Sequence, residues 1–336
     1  MIKGHGDDAY QYPKKVLHNF SSNVYNKGCA IGLLEEIKSK VFTVESYPSP
    51  IANELNAAAA LYFGLSKDQF LFGNGATELF YLIAQLYAGG SATIVGPTFS
   101  EYEDACTMFQ IKTQMVSWEQ LPDCYTSDLV FICNPNNPTG TVLQPEQIEI
   151  LIRNAPQSLF VIDEAYVEFT TATCSSLPLV EQYSNLVLVK SLTKTFTIPG
   201  IRLGYMVGKP EIIQRLLAYK LPWTVNALAI AAGLYIFKNY HKLLFSVVDL
   251  TIETQKFQAQ INTISNLKVE DSATSYFLVE VLKGSAADLK RYLMMEHQIL
   301  VRDATNFNLL EGEYIRLAVQ KSSSNEALIK ALEKWN

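Results

Sequence analysis

Lys194 stands three residues after Ser191 and eight before Arg202 in the stretch Lys190-Ser191-Leu192-Thr193-Lys194-Thr195-Phe196-Thr197-Ile198-Pro199-Gly200-Ile201-Arg202. A lysine amine can condense with an aldehyde, and a hydroxyl beside a guanidinium can hold a phosphate. This spacing therefore suits a cofactor carrying both groups. The apolar run Leu186-Val187-Leu188-Val189 just before it reads as a buried strand. Ser191 and Lys194 then fall at a strand's carboxyl end, where ligands gather in α/β folds. A lone lysine in a loop is more often a solvated surface charge, so the rest of the chain must carry the reading.

Other strand ends carry chemistry too. Gly73-Asn74-Gly75-Ala76-Thr77-Glu78 opens a helix expected over 78–87, whose first backbone N–H groups form an anion site to which Thr77 adds a hydroxyl. The motif reads G-x-G-x-x-E, without the third glycine of a dinucleotide fingerprint, and taken alone it is more simply a capped turn. Asn134-Pro135-Asn136-Asn137-Pro138-Thr139-Gly140 is a rigid turn whose asparagines can also hydrogen-bond a phenolic oxygen. In Asp163-Glu164-Ala165-Tyr166 an aspartate closes a buried strand. It is either a helix cap or a carboxylate that needs a cation, and a protonated pyridine nitrogen would serve. Tyr166 could reach the neighbouring ring oxygen.

These residues need a scaffold of alternating elements. Phe70–Phe72, Ala92–Val95, Leu129–Cys133, Leu159–Ile162 and Leu186–Val189 are short apolar runs, mostly followed by amphipathic stretches. That rhythm predicts an α/β domain with a mostly parallel sheet covered by helices. From about Asn239 it changes to a long polar-apolar helix, then strands at 275–281, 300–303 and 314–319 with helices near 286–296 and 325–335. This predicts a smaller α+β domain. The expected division is an N-terminal arm over 1–45 packing with the small domain, a large domain over 46–238 and a C-terminal small domain over 239–336.

Composition narrows the function classes. The chain has 336 residues, 49% hydrophobic, with 27 Lys and Arg against 33 Asp and Glu and a net charge of −6. Its pI is near 5.4 and its mean hydropathy +0.08. No basic cluster points to nucleic acid, and no apolar run is long enough to span a membrane, so a cytoplasmic location is expected. Five scattered cysteines and four ungrouped histidines form neither a disulfide framework nor a metal-ligand set; the cysteines are expected as free thiols, mostly in the core.

In order along the chain, Gly75-Ala76-Thr77, Asn137-Pro138-Thr139-Gly140, Asp163-x-x-Tyr166, Ser191-x-x-Lys194 and Arg202 resemble the pyridoxal-phosphate enzymes of aminotransferase fold type I, class I/II. The resemblance covers essentially the whole chain. It implies pyridoxal 5'-phosphate as cofactor, joined to Lys194, which also carries the proton at the substrate's Cα. Asp163 would pair with the pyridinium, and Tyr166 and Asn137 with the ring oxygen. Ser191, Arg202 and the Ala76 and Thr77 amides would take the cofactor phosphate. Phe99, in Gly96-Pro97-Thr98-Phe99, would stack on the ring, with Tyr102 a second candidate. Tyr47 would cross to the partner's phosphate in a homodimer with shared sites.

Within the family the chain resembles histidinol-phosphate aminotransferases and, more closely, the L-threonine-O-3-phosphate decarboxylases of cobalamin biosynthesis. The segments that carry this are His5-Gly6, Phe20–Asn23, Pro222–Ala229 and Leu300–Phe307. The resemblance implies a small phosphorylated amino acid as substrate. Arg316 would grip its carboxylate as a bidentate fork, His5, Asn23 and Arg302 would hold its phosphate, and Gly6 and Asn137 would also bind the substrate. Asp7-Asp8 departs from the usual Gly-Asn that follows His-Gly, and Gln320-Lys321 stands where a further arginine is common. The alternatives are a transaminase using 2-oxoglutarate and, more remotely, a non-catalytic cofactor-binding regulator, which would call for a basic DNA-binding segment.

Overall fold

The computed structural model describes residues 7–335. Its strands are β1 (His18–Asn19), β2 (Phe70–Asn74), β3 (Ser91–Gly96), β4 (Lys112–Ser117), β5 (Leu129–Cys133), β6 (Leu159–Asp163), β7 (Leu186–Ser191), β8 (Leu203–Gly208), β9 (Leu267–Val269), β10 (Tyr276–Val281), β11 (Ile299–Leu300), β12 (Arg302–Asp303) and β13 (Tyr314–Ala318). The α-helices are α1 (Ile31–Ser39), α2 (Asn53–Phe63), α3 (Gly75–Leu86), α4 (Glu101–Met108), α5 (Pro145–Asn154), α6 (Leu192–Thr195), α7 (Pro210–Leu217), α8 (Ala227–Leu243), α9 (Val247–Ile261), α10 (Ala286–His297) and α11 (Ser322–Leu332).

The central sheet has the order β2-β8-β7-β6-β5-β3-β4. All neighbouring pairs are parallel except β2/β8 and β7/β8. Strands β5, β6 and β7 are buried throughout, which is why they read as unbroken apolar runs. Side-chain alternation sends Phe160, Ile162, Leu186 and Leu188 to a core shared with α2 and α8, and Leu159, Val161, Val187 and Val189 to a core shared with α3 and α4. The fold is thus the expected α/β arrangement, a mostly parallel sheet between helices.

A second sheet, β12-β13-β10-β9, is antiparallel and packs with α9, α10 and α11 around a third core. Phe20, from the segment after β1, and Tyr166 and Phe169, from the segment after β6, join that core, so the two sheets are tied together beside Asp163. The boundary expected at 238/239 falls inside α8, at Asn239, whose backbone departs from helical angles.

Some elements differ from the sequence reading. The helix expected over 78–87 begins at Gly75. The single long helix expected after 239 is divided: α8 ends at Leu243, and Ser246 caps α9 by accepting from the Asp249 amide at 3.2 Å. Strand β4 had no apolar run to announce it, because it is an edge strand of mostly polar residues, its first half exposed and its second half only partly buried. The cysteines are free, but only Cys106 and Cys133 are buried, because Cys124 and Cys174 fall in surface segments between elements.

Candidate active site

Strand direction gathers the site. The parallel register places Cys133 opposite Asp163 and Asp163 opposite Val189, so the segments that follow β5, β6 and β7 emerge at one edge. Strand β8 runs the other way, with Gly204 opposite Ser191 and Leu203 opposite Asn74. Its start therefore reaches the edge where the others end, and Arg202 arrives beside the N-terminus of α3. Between this edge and the antiparallel sheet lies a cavity of about 720 Å³. A recess leading from it is lined by Gly75, Ala76, Thr77, Asp163, Ser191 and Arg202, among others.

The recess is shaped by missing side chains. Gly75 sits at φ +76°, and a Cβ there would stand 2.6 Å from Arg202 Nη2. A Cβ at Gly204 would meet the Ala76 amide nitrogen at 2.5 Å. Glycine at both points lets β8, Arg202 and the first turn of α3 close on one another, leaving amide N–H groups and a guanidinium around a space fit for an anion. Ser191 Oγ lies 2.7 Å from Thr193 Oγ1, and both residues line the recess.

Asp163 forms its floor and is 5% exposed. Its Oδ2 accepts from Tyr102 Oη at 2.6 Å, and its Oδ1 from the Ala165 amide at 2.9 Å. The second bond is the local turn expected of a capping aspartate. Among the described residues no ion pair includes Asp163. Burial pushes its carboxyl up to about 6, against the pull of the Tyr102 and Ala165 hydrogen bonds. Lys194, on α6, faces both cavity and recess. Burial, then the charges of Arg316 and Arg202, bring its amine down to about 8. A nucleophilic amine, a buried carboxylate without a cation and an anion cradle in one recess fit a phosphorylated pyridine aldehyde.

The wider cavity holds cations. In the antiparallel ladder Arg302 of β12 pairs directly with Arg316 of β13, so both side chains leave the sheet on the same face. They are 7% and 5% exposed. Arg316 donates to Asn137 Oδ1 at 2.5 Å and to the Ser21 carbonyl at 2.5 Å, and its Nε has no partner among the described residues. Arg302 donates to Asn306 Oδ1 at 2.8 Å and lies 5.3 Å from the centroid of the Phe307 ring. Neither arginine has a carboxylate partner within ion-pair distance among the described residues. Burial and the neighbouring Arg316 lower the Arg302 guanidinium to about 10. Asn23 is 4% exposed and lines the cavity beside Tyr166.

Lys194, Thr77, Phe99, Asn137, Tyr166, Arg202, Asn23, Arg302 and Arg316 all line the cavity. Tyr102 does not. It is fully buried behind Asp163, stacked on Phe131 at 5.3 Å, so it supports the carboxylate from below instead of covering the recess. Tyr47 lies outside the cavity, 86% exposed and leaning on Trp223 at 5.4 Å. His5 and Gly6 lie outside the described residues. Of the acidic pair, Asp8 is drawn off by Lys290 at 2.6 Å, while Asp7 does line the cavity and accepts from Asn19 Nδ2 at 2.6 Å. Ser21, Ser22, Thr193, Asn306 and Phe307 also reach the cavity or recess. Each lies inside a motif noticed for another residue, and only the fold shows which neighbours turn inward.

Residues 15–333 match the model of the aminotransferase class I and II family. The chain is 34% identical to the L-threonine-O-3-phosphate decarboxylase of Porphyromonas gingivalis, whose crystal structure matches with a TM-score of 0.91 over 95% of this chain and 99% of that one. It is 28% identical to the threonine-phosphate decarboxylase of Salmonella typhimurium, over 94% of this chain and 90% of that protein. It is 32% identical to a histidinol-phosphate aminotransferase of Caldanaerobacter subterraneus subsp. tengcongensis, over 88% of this chain and 86% of that protein. With its buried lysine, carboxylate and anion cradle at one sheet edge, the chain belongs to the aminotransferase class I and II family of enzymes.

Proposed function

We propose that this chain is a pyridoxal 5'-phosphate enzyme that decarboxylates L-threonine O-3-phosphate to (R)-1-aminopropan-2-yl phosphate, acting in the cytoplasm in cobalamin biosynthesis. The observation that carries the reading is the pair of buried arginines, Arg302 and Arg316, set side by side with no carboxylate within ion-pair distance of either among the described residues. Like charges opposite one another on a ladder destabilise a sheet unless something anionic is to be bound there. Two such cations call for a ligand with two anionic groups, and this substrate has a carboxylate and a phosphate. Histidinol phosphate has the phosphate alone.

When bound, pyridoxal 5'-phosphate supplies an aldehyde that condenses with amines and a ring that accepts the electron pair of a bond broken at the substrate's Cα. Arg202, Ser191 and the Ala76 and Thr77 amides would hold its phosphate. Asp163 would hold the proton on its ring nitrogen, and Tyr166 and Asn137 its ring oxygen, with Phe99 over its face. Arg316 would take the substrate carboxylate, leaving Arg302 and Asn23 for the substrate phosphate. A grip at both ends sets the rotation about Cα and so decides whether the carboxylate or the hydrogen is lost; positioning of this kind is worth several kcal/mol, or about three powers of ten in rate. Lys194 would return a proton to Cα after CO2 has left.

Incubation of the cofactor-loaded protein with L-threonine O-3-phosphate, without any oxo-acid, should release CO2 catalytically. The similarity to a histidinol-phosphate aminotransferase supports a second reading, in which the two arginines bind a dicarboxylate such as glutamate. No CO2, with glutamate formed only when histidinol phosphate and 2-oxoglutarate are supplied, would replace the first reading by the second.

A further inference from the structure

We propose that the buried ion cluster of Lys190, Glu164 and Glu168 is a positioning device that holds, from behind the sheet, the segments carrying Asp163, Tyr166 and Lys194. The proposal rests on the reading of those three as cofactor-binding residues. Strand alternation separates the two layers: Asp163 and Ser191 face the recess, so Glu164 and Lys190, each one residue away, face the opposite side. Lys190 Nζ lies 3.2 Å from Glu164 Oε2 and 3.4 Å from Glu168 Oε1. Glu164 also accepts from Ser175 Oγ at 2.5 Å and the Ser176 amide at 2.7 Å. Glu168 accepts from Tyr240 Oη at 3.1 Å and Thr195 Oγ1 at 3.4 Å.

Each member sits within two residues of a site residue. Glu164 follows Asp163, Glu168 is two after Tyr166, Lys190 precedes Ser191 and Thr195 follows Lys194. One cluster thus spans the segment after β6, the end of β7, α6 and, through Tyr240, α8. Glu164 is 1% and Lys190 5% exposed. Glu168 is partly exposed, but burying Lys190 and Glu164 is costly, and an apolar set of the same volume is often as stable or more so, so stability gives little reason for the cluster. What apolar packing would lose is direction: hydrogen bonds and ion pairs fix how each segment is turned, which supporting residues must do for a binding constellation. Glu168 and Glu164 overcome the effect of burial and keep the Lys190 amine charged.

The test uses Glu168→Gln and Thr195→Val, which each remove one arm, Lys190→Met, which removes the centre, and Lys190→Arg as the conservative rescue. Leu289→Ala, in the core of the small sheet, controls for loss of stability alone. Thermal melting, pyridoxal-phosphate affinity of the apoprotein and the pH midpoint of the bound cofactor's visible absorbance would be measured for each. Glu168→Gln should weaken cofactor binding on the order of tenfold, the size of effect seen for supporting bonds behind other bound groups, and move the pH midpoint. Lys190→Arg should restore most of what Lys190→Met loses, and Leu289→Ala should leave both readouts near wild type even with a lower melting temperature. If Lys190→Met does not fold, Glu168→Gln and Thr195→Val decide alone. Unchanged affinity and midpoint in those two, or equal changes in Leu289→Ala, would overturn the positioning role while leaving Lys194 and Asp163 in place. A wild-type protein that takes up no pyridoxal phosphate, or a Lys194→Ala variant that keeps the absorbance, would overturn the underlying reading and the proposal with it.

Discussion

Burial moves Lys194 and Asp163 in opposite directions, and each shift has a sign that can be checked. With its amine lowered to about 8, Lys194 is mostly protonated at pH 6 and mostly free at pH 9. The rate at which the apoprotein takes up an aldehyde should therefore rise with pH and level off above about 8, as followed by stopped-flow absorbance. Lys194→Ala should abolish both the signal and turnover. For Asp163 the folded value of about 6 lies above the ordinary 3.8. Between these values the folded chain holds more protons than the unfolded one, so the apoprotein should lose stability as pH rises from about 4 to about 6. Two units correspond to roughly 3 kcal/mol. Melting curves across that range should show the slope, and Asp163→Asn should remove it. Arg316→Lys keeps a charge but gives up the fork that reaches Asn137 and Ser21; kcat/KM should fall roughly thirtyfold, the equivalent of about 2 kcal/mol for a charged hydrogen bond.

The element that matters most is the junction of α3, β8 and Arg202, where two glycines differ in what opposes them. At Gly204 an added methyl meets backbone, the Ala76 amide. Backbone there cannot move without shifting α3, so Gly204→Ala should cost on the order of 1–3 kcal/mol and lower the melting temperature by several degrees. At Gly75 the obstacle is the end of the Arg202 side chain. Gly75→Ala should be the milder change in melting temperature, with the strain of φ +76° about 1 kcal/mol, and the more damaging one for cofactor affinity, because it displaces the guanidinium that would hold the phosphate. Equilibrium titration of each apoprotein with pyridoxal phosphate, set beside its melting curve, checks that order.

For the whole molecule, the segment around Tyr47 leaves apolar side chains uncovered, with Trp223 against Tyr47 at 5.4 Å. Phe42, Val44, Tyr47 and Trp223 are 76%, 62%, 86% and 49% exposed, and soluble monomers seldom leave such apolar groups together. We propose that a second copy covers them, which would place Tyr47 near the partner's cofactor phosphate as the resemblance implies. Trp223→Asp should shift the 37.6 kDa chain from dimer toward monomer in sedimentation velocity and weaken cofactor retention in parallel. A dimer that survives with Tyr47 remote from any site would confine that residue to surface packing.

The amino-acid sequence by itself determined the α/β class and most of the recess, because both rest on local patterns. Fully buried strands must be apolar runs, and Ser191, Lys194, Asp163 and Gly75 stand within a few residues of a strand's end. Strands β4 and β9 were illegible for the complementary reason: each exposes residues to solvent, so polarity no longer marks it. Strand β8 is fully buried yet equally illegible, because glycines interrupt its short apolar run; the fold alone supplies it and the direction that brings Arg202 to the right edge, along with the placement of Tyr102 behind Asp163, the pairing of Arg302 with Arg316 across a ladder and the ion cluster behind the sheet. Those are contacts between residues 14 to 137 positions apart. Chain distance carries no record of them; strand register and packing create them.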